Sequence, residues 1–373
     1  MIVGIPKESM RDERRVVLTP AGAYSLAKRG HKVIVQSEAG IGCSFSNEAY
    51  REAQATIAFS PEEVFARSDL IVKVMPPTIE ECDWMTEGKF LLSVVHLGSA
   101  NPQVHQMLRE RHSNAIGIEL IEDSEHTLPI LTAMSEIAGM LLPQIAGRFL
   151  ETTHGGRGIM LGGVAGVPAS NVLIIGAGNV GSNAAPIFLG YGANVTVMDD
   201  DLKRLRYLEV HLSKRVNTVL STAYNVERYV STADVIIGSA MIHGRISPRV
   251  VTEAMVKEML SGSVIIDLAI DHGGCVETSH PTTLSNPVFK KHGVTHYCVP
   301  NIPSSVAQTA AHAFSNALLS FIEEISDSGA SALQNDRTLR RGVYIYDGNC
   351  THEGLADLLN CEYVNLDSLA GRL

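Results

Sequence analysis

A glycine-rich turn between two apolar runs, near the middle of the chain, most limits how this sequence can fold. The stretch VLIIGAGNVGSNAAPIFLGYGANVTVMD places Gly176, Gly178 and Gly181 directly after an apolar run and before a helical pattern. Gly176 permits a tight turn, Gly178 lets the backbone approach a pyrophosphate, and Gly181 allows the helix to pack closely on the strand. The N–H groups at the start of such a helix bind phosphates. The sequence therefore predicts a dinucleotide-binding βαβ unit.

An aspartate at the end of the second apolar run of this unit predicts which dinucleotide is bound. Asp199 follows ANVTVM, 23 residues after Gly176. A carboxylate there accepts hydrogen bonds from the ribose hydroxyls and repels a 2′-phosphate, which favours NAD over NADP. The alternative is that the run from Asp199 to Asp201 is an acidic loop that caps the next helix. Arg204, one helical turn later, is either a ribose contact or a solvated arginine.

The pattern of apolar runs predicts an α/β fold. The N-terminal third alternates short apolar runs with helical patterns, as in βαβ units with a mainly parallel sheet. A long helical pattern then starts near Ala133, where Ser135 and Glu136 suit a helix start and Pro143 is expected to kink the helix. After the nucleotide unit come further apolar strands, a helix from SVAQTAAHAF onward, and then loops and a short tail.

The length of 373 residues exceeds what a single core usually supports, so two domains are expected. We predict two Rossmann-like parallel-sheet domains flanking a cleft. The NAD-binding domain, residues 131–304, would be inserted into a discontinuous substrate domain formed by residues 1–130 and 305–373.

Charge and cysteine usage exclude several classes of partner. The formal net charge is −10, and lysines and arginines form no large cluster, which disfavours nucleic acid or an anionic membrane surface. The six cysteines are scattered without metal-ligand spacing, which predicts reduced thiols and no metal site. No uninterrupted apolar stretch reaches the ~18 residues needed to span a bilayer. These features predict a soluble cytoplasmic protein with small-molecule substrates.

Three polar residues in the N-terminal third are unusual for a purely structural role. Lys73 lies inside the apolar run DLIVKVM, His96 ends LLSVVH, and Arg15 precedes VVLTP. Each has a structural alternative: a lysine of an edge strand that reaches solvent, a histidine of the core, and a surface arginine. Together they offer two cations for a carboxylate and one titratable group for proton transfer. They predict a site for a small carboxylate substrate.

Two aspartates in IIDLAIDHGG differ in their predicted roles. Asp271 follows the apolar run and precedes Gly273 and Gly274, so we expect it on the loop beyond the strand, near the nicotinamide. Asp267 lies within the strand and is less suited to catalysis.

Long motifs in a fixed order extend over nearly the whole chain. They are GIPKE…RRVVLTPAG, DLIVKV, VVHLGSA, MSEIAG, GGRGIMLGGVAGVPASNVLIIGAGNVG, VIIDLAIDHGGC and YCVPNIP. On these motifs the chain resembles the alanine dehydrogenase family, which is related to the N-terminal part of nicotinamide nucleotide transhydrogenase. The resemblance implies reversible oxidative deamination of L-alanine by NAD to pyruvate and ammonium, and a homohexamer.

The resemblance also implies roles for individual residues. Arg15 and Lys73 would bind the substrate carboxylate and carbonyl oxygen, while His96 and Asp271 would act as the acid and base. The implied cofactor-binding residues are Ser135, Gly176, Gly178, Asn179, Val180, Gly181, Asp199, Arg204, Ser221, Ala240, Met241, Leu268, Ala269, Ile270, Asp271, Val299, Pro300, Asn301 and Ile302.

The sequence departs from the family pattern in several places. The family usually has NMPGAV or NMPASV where this chain has NIPSSV, so Ile302 replaces a methionine and Ser304 and Ser305 also differ. His280 stands where some members have an arginine near the cofactor phosphates. Glu119 matches a carboxylate linked with a divalent ion in some members, but the partner histidine is missing, so no bound metal is predicted.

Three other functions stay open at the level of sequence. The soluble subunit of a transhydrogenase would share the fold, although the histidine of HLGSA is not expected there. A saccharopine-type dehydrogenase would also use a lysine and a histidine, but the motifs from MSEIAG to GGVAGVP favour the alanine enzyme. A non-catalytic NAD-binding regulator is disfavoured because Arg15, Lys73, His96 and Asp271 occur together.

Overall fold

The computed structural model describes residues 1–95, 101–241 and 247–372, with side chains as far as residue 369. The chain divides into two compact units. Unit 1 comprises Met1–Met134 and Ser304–Leu373, and unit 2 comprises Ser135–Pro303.

The N-terminal part of unit 1 alternates strands and helices. Most of its helices start with a Ser or Thr whose side chain caps the first turn, as Thr19 and Ser60 do just before a proline at the first helical position. The elements are β1 (Ile2–Ile5), α1 (Pro20–Lys28), β2 (Lys32–Gln36), α2 (Asn47–Glu52), β3 (Thr56–Ala58), α3 (Pro61–Arg67), β4 (Leu70–Val72), α4 (Ile79–Trp84), β5 (Phe90–Ser93), α5 (Pro102–Glu110), β6 (Asn114–Gly117) and α6 (Pro129–Leu150).

Unit 2 continues the alternation, and the chain then returns to unit 1. The elements of unit 2 are β7 (Asn171–Ile175), α7 (Asn179–Gly190), β8 (Asn194–Asp199), α8 (Leu202–His211), β9 (Asn217–Leu220), α9 (Ala223–Val230), β10 (Val235–Gly238), α10 (Glu253–Lys257), β11 (Val264–Asp267), β12 (Val288–Lys291) and β13 (Val294–Tyr297). The C-terminal elements of unit 1 are α11 (Ala307–Ser328), α12 (Ala332–Asn335), α13 (Arg337–Arg341), β14 (Val343–Tyr346), β15 (Asn349–Cys350) and α14 (Glu353–Leu359).

Each unit is built on one mainly parallel sheet. The sheet of unit 1 has the order β15-β14-β6-β5-β4-β1-β2-β3, and that of unit 2 has the order β12-β13-β11-β10-β7-β8-β9. Among the described strands, the antiparallel pairs are β6–β14, β14–β15 and β12–β13, and the other neighbouring strands are parallel. Counted from its own first strand, each sheet contains the order 3-2-1-4-5, which is the core of the doubly wound fold. The sheet of unit 1 continues with its sixth strand, whereas in unit 2 the seventh strand, β13, lies next to the fifth and pairs with the sixth, β12, at the edge. The predicted α/β fold class with two Rossmann-like parallel sheets is therefore confirmed.

Two details of the predicted secondary structure were wrong. Helix α6 begins at Pro129 rather than near Ala133, because a proline fits the first helical position, and Ser135 and Glu136 lie in its second turn. The segment after α11 is not loops and a tail. Its run VYIY forms β14, which is buried and pairs antiparallel with β6, so it completes the core of unit 1.

One helix of the described residues, α6, is long and apolar enough to cross a membrane by length and composition. Half of its most apolar 18-residue window is buried inside the protein, however. A core helix of a soluble protein meets the same criteria, so this is weak support for a membrane span.

Candidate active site

The guanidinium of Arg15 is buried and held in a fixed orientation. Its Nε and Nη2 donate hydrogen bonds of 2.8 and 2.7 Å to the two carboxylate oxygens of Glu13. Its Nη1 points to the sulfur of Met134 at 3.6 Å, and its Cζ lies 5.0 Å from the centre of the Phe314 ring. A thioether is a weak acceptor, so a carboxylate that reached Nη1 would be the stronger partner.

Lys73 follows β4, an interior strand of the sheet, and its side chain has no exposed surface. Its ammonium donates a hydrogen bond of 2.6 Å to Glu81 and lies 3.9 Å from Glu8. The alternative of an edge-strand lysine that reaches solvent is therefore wrong. The ammonium has three N–H donors, so Lys73 can keep its bond to Glu81 and still donate to a substrate.

Glu8 completes this buried charged cluster. It lies just beyond β1, and its carboxylate accepts hydrogen bonds from the backbone N–H groups of Val74 at 2.6 Å and Met75 at 3.3 Å. Burial raises the pKa of Glu8 to about 7, and the nearby charge of Lys73 opposes that rise. Because β1 and β4 are the two strands at which the strand order reverses, the cluster occupies the position where doubly wound sheets bind ligands.

A pocket of about 290 Å³ lies beside this cluster, large enough for a small organic acid. Its lining carries both signs of charge and is formed by Lys7, Glu8, Glu13, Arg14, Arg15, Glu38, Ala39, Ile41 and Gly42. His96, the predicted acid–base residue, lies outside the described residues.

In unit 2 the three glycines of the predicted nucleotide turn differ in backbone conformation and in the space around them. Gly176 has a φ of +106°, and a Cβ on it would lie 2.8 Å from the backbone of Ser239. A Cβ on Gly181 would lie 2.0 Å from the carbonyl oxygen of Gly176, whereas a Cβ on Gly178 would meet nothing within 4 Å. Gly178 also N-caps α7 without a side chain. The turn thus leaves open space at a helix N-terminus, which fits a pyrophosphate.

Asp199 and Asp201 have different structural roles. Asp201 caps α8 by accepting a hydrogen bond of 2.7 Å from the N–H of Lys203. Asp199 ends β8 and accepts 2.6 and 2.8 Å hydrogen bonds from the N–H groups of Ala177 and Asp201. The alternative of a helix-capping aspartate thus holds for Asp201 and not for Asp199, which is fixed against the glycine turn. Arg204 lies 3.7 Å from Asp199 and is exposed.

The turn after β11 carries Asp271. It is a 3-10 turn, Leu268–His272, in which Asp271 is exposed and Ala269 and Ile270 are buried. Asp267, the last residue of β11, is buried, and burial raises its pKa. Its carboxylate accepts hydrogen bonds from the N–H groups of Ala269, Cys275 and Val276 at 3.1 Å each. Asp267 therefore holds both ends of the turn that presents Asp271.

The remaining residues that were predicted to bind the cofactor lie at strand ends and in loops and helices of unit 2. The backbone N–H of Ser221 donates a 3.0 Å hydrogen bond to the carbonyl of Asp199. The ring of His280 stacks on Phe289 with a centroid separation of 3.6 Å. Ser135, Ala240, Pro300 and Asn301 are partly exposed, Met241 is exposed, and Val299 and Ile302 are buried.

Glu119, the residue that matches a metal-linked carboxylate in some family members, belongs to unit 1 and is bonded to the backbone. Its carboxylate accepts a 2.8 Å hydrogen bond from the N–H of Val95. Among the described residues, no group of three His, Cys, Asp or Glu side chains is arranged to hold a metal ion.

The acidic residues that surround the two cations were not predicted from the sequence. Glu81 could have been found, because Thr78 and Glu81 form a capping box at the start of α4. Glu13 is only two residues from its partner Arg15, but no regular element marks that pair, and the partners of Glu8 are set by tertiary contacts. The structure places Arg15, Lys73 and these three carboxylates in unit 1, and places Asp199, Asp271 and the glycine turn in unit 2.

Comparison with known proteins agrees with these features. Residues 4–138 match the family model described as alanine dehydrogenase/PNT, N-terminal domain, and residues 143–353 match that of the C-terminal domain. An alanine dehydrogenase of Staphylococcus saprophyticus is 42% identical over 370 residues, 99% of this chain and 99% of that protein.

Two solved structures share the fold of this chain. An L-alanine dehydrogenase superposes with a TM-score of 0.93 at 38% identity and covers 96% of this chain and 99% of its own. A transhydrogenase from Sinorhizobium meliloti shares the fold, with a TM-score of 0.82 at 23% identity over 95% of this chain and 99% of its own. With both family domains matched and the similarity extending from end to end, this chain belongs to the alanine dehydrogenase family.

Proposed function

We propose that this chain catalyses the reversible oxidative deamination of L-alanine to pyruvate and ammonium with NAD as the cofactor. The observation that carries the proposal is the 42% identity to an alanine dehydrogenase over 99% of both chains. Similarity of this extent leaves no large insertion or missing segment in which a different active site could lie.

The proposed cofactor, NAD, is supported by the residues of unit 2. The open space at Gly178 and the N-terminus of α7 would hold the pyrophosphate. Asp199 would bind the adenosine ribose and repel a 2′-phosphate. When bound, NAD supplies the nicotinamide carbon that accepts a hydride from the substrate Cα. The other proposed contacts are Ser135, Asn179, Val180, Arg204, Ser221, Ala240, Met241, the turn 268–271 and the segment 299–302.

The proposed anchor for the substrate carboxylate is Arg15. Its bidentate pair with Glu13 fixes the plane of the guanidinium and leaves Nη1 facing a sulfur atom. Arginine presents its donors in a rigid fork, so the orientation of Nη1 would set the orientation of the carboxylate. Binding Cα in one orientation is what hydride transfer requires.

Three further residues are proposed to handle charge and protons. Lys73 would stabilise the substrate carbonyl oxygen with an N–H other than the one bonded to Glu81. The carboxylate of Asp271 would face the positive charge that develops on the imino nitrogen. His96 would accept the proton of the water that attacks the imino carbon and return it to the departing amine.

The test is oxidation of NADH by the purified protein with pyruvate, in the presence and absence of ammonium. We expect turnover only when both substrates are present, and we expect NADPH to be a much poorer cofactor. A His96→Ala variant should lose about 100-fold or more in kcat, as removal of an acid–base residue does. His126→Ala is the matched control, because His126 is an exposed histidine of the same unit.

The outcomes separate the alternatives. Oxidation of NADH without ammonium would indicate a hydroxy-acid dehydrogenase. Turnover with 2-oxoglutarate and lysine, but not with pyruvate, would indicate a saccharopine-type enzyme. NADH binding without any turnover would support the transhydrogenase or regulator functions. We further propose a cytoplasmic homohexamer on the basis of the resemblance, which sedimentation or light scattering tests.

A further inference from the structure

Ser304 fixes the loop that carries Arg15, although it lies almost 300 residues away in sequence. It is 1% exposed and belongs to unit 1. Its hydroxyl accepts a 3.2 Å hydrogen bond from the N–H of Arg14. Its single proton lies within reach of two acceptors, the carbonyl oxygen of Asp12 at 3.0 Å and Oε1 of Glu13 at 3.1 Å. One hydroxyl thus contacts three consecutive residues.

Glu13 transmits this contact to Arg15. The same oxygen, Oε1, that receives the Ser304 hydroxyl also accepts hydrogen bonds from the backbone N–H and the Nε of Arg15, at 2.9 and 2.8 Å. The other oxygen binds Nη2 at 2.7 Å. The side chain of Glu13 is 1% exposed, so it has little room to adopt another orientation. The position of Glu13 therefore sets the position of the guanidinium.

The loop needs such a tether because it has no regular structure. Residues 11–18 form neither helix nor strand, and Asp12 has a positive φ of 65°, a conformation that few residues adopt without support. Further tethers are the hydroxyl of Tyr50, which donates to the carbonyl of Leu18 at 2.7 Å, and the thiol of Cys43, which lies 3.2 Å from the carbonyl of Arg14. Without Ser304, the carboxylate of Glu13 would lose a partner in a buried setting.

We propose that Ser304 is a positioning residue for substrate binding: its hydroxyl orients Glu13, and Glu13 in turn orients Arg15 for the substrate carboxylate. The inference rests on the proposed function, in which Arg15 binds that carboxylate. The expected effect of the tether is on the affinity for pyruvate and alanine rather than on binding of the cofactor.

The experiment compares Ser304→Ala with the wild-type protein. We expect the KM for pyruvate to rise about tenfold, in line with a lost hydrogen bond to a charged group, while kcat and the KM for NADH change less than about twofold. Ser305→Ala is the matched control, since Ser305 is the neighbouring serine and is exposed. A purely structural defect would lower the thermal unfolding temperature and raise both KM values together.

A double-mutant cycle with Glu13→Ala, which removes the oxygen that accepts from Ser304, tests whether Ser304 acts through Glu13. If it does, Ser304→Ala should have little further effect on pyruvate binding in the Glu13→Ala background. Binding of pyruvate to the NADH complex is measured by calorimetry without ammonium, so the result does not depend on turnover. The inference about Ser304 would be overturned, and the proposed function left intact, by either of two results. One is a Ser304→Ala variant that binds pyruvate like the wild type; the other is additivity of the two substitutions in their effects on pyruvate binding. A wild-type protein that neither binds nor reduces pyruvate would overturn the proposed function as well.

Discussion

The buried carboxyl of Glu8 is placed among charges of both signs. Lys73 lies 3.9 Å from Glu8, and its charge lowers the pKa of Glu8. The carboxylates of Glu13 and Glu81 raise the pKa of Glu8. Burial is the largest cause, and it brings the pKa of Glu8 from 4.5 to about 7. The folded protein therefore keeps a proton on Glu8 at pH values where the unfolded chain has released it.

This raised pKa predicts how stability depends on pH. Between about pH 4.5 and pH 7 the folded state binds more protons at Glu8 than the unfolded state, so the free energy of unfolding falls as pH rises, by at most ~3 kcal/mol. A Glu8→Gln variant stays neutral and should lose this dependence. We expect its unfolding temperature, relative to wild type, to be higher at pH 8 than at pH 5.

The control for this measurement is Glu38→Gln. Glu38 lines the same pocket, but its side chain is 61% exposed. The same difference in unfolding temperature between wild type and Glu8→Gln at pH 5 and at pH 8 would contradict a raised pKa of Glu8 in the folded protein.

Single residues also show how far the sequence could predict the site. Arg15 and Lys73 were found because a cation next to an apolar run is costly to bury. Their partners Glu8 and Glu13 were not found, because neither the long-range contacts of Glu8 nor the pairing of Glu13 with Arg15 within an irregular loop leaves a periodic signal. Whether Arg15, Lys73, His96 and Asp271 act as proposed stays a prediction.

At the start of helix α7, two glycines of one motif should respond in opposite ways to the same substitution. A Cβ on Gly178 would meet no atom within 4 Å, and its φ of −72° suits any residue. We expect Gly178→Ala to change the stability of the free protein by less than about 1 kcal/mol. The methyl group would occupy the space proposed for the pyrophosphate, so NADH should bind about tenfold more weakly or worse.

Gly181→Ala is the comparison. Its Cβ would lie 2.0 Å from the carbonyl oxygen of Gly176, so we expect a loss of stability of about 1–3 kcal/mol or more even without cofactor. Thermal unfolding with and without NADH distinguishes the two variants. Equal NADH affinity in Gly178→Ala and wild type would mean that the cofactor does not approach this turn.

The elements that the sequence argument missed are short ones. The pair β14 and β15 is joined at Asp347 and Gly348, an Asp-Gly sequence that is typical of hairpin turns. That local signal was available. The position of β14 beside β6 was not, because strands far apart in sequence pair through their shared core. The start of α6 was misplaced because Pro129 and Ser135, in successive turns, can each suit a helix start.

For the molecule as a whole, the C-terminal segment is part of the core of unit 1. Tyr344 is 1% exposed and packs in a cluster with Phe65, Leu91 and Leu108. We expect Tyr344→Ala to cost about 3–5 kcal/mol, as for other large aromatic residues in a core. Tyr363→Ala, at a residue that is 41% exposed, should cost less than about 1 kcal/mol. Denaturant unfolding measures both, and equal costs would contradict this description of the core.

The two sheets of this protein share the strand order of their first five strands, so the molecule contains two variants of one architecture. After β7 the chain continues Gly-Ala-Gly, whereas after β1 it continues Pro-Lys-Glu. The open space at Gly178 leaves room for a long anionic cofactor, while the equivalent segment after β1 places the carboxyl group of Glu8 beside Lys73. The same winding therefore carries two different sites, and the residues directly after the first strand of each sheet are where the two sites differ.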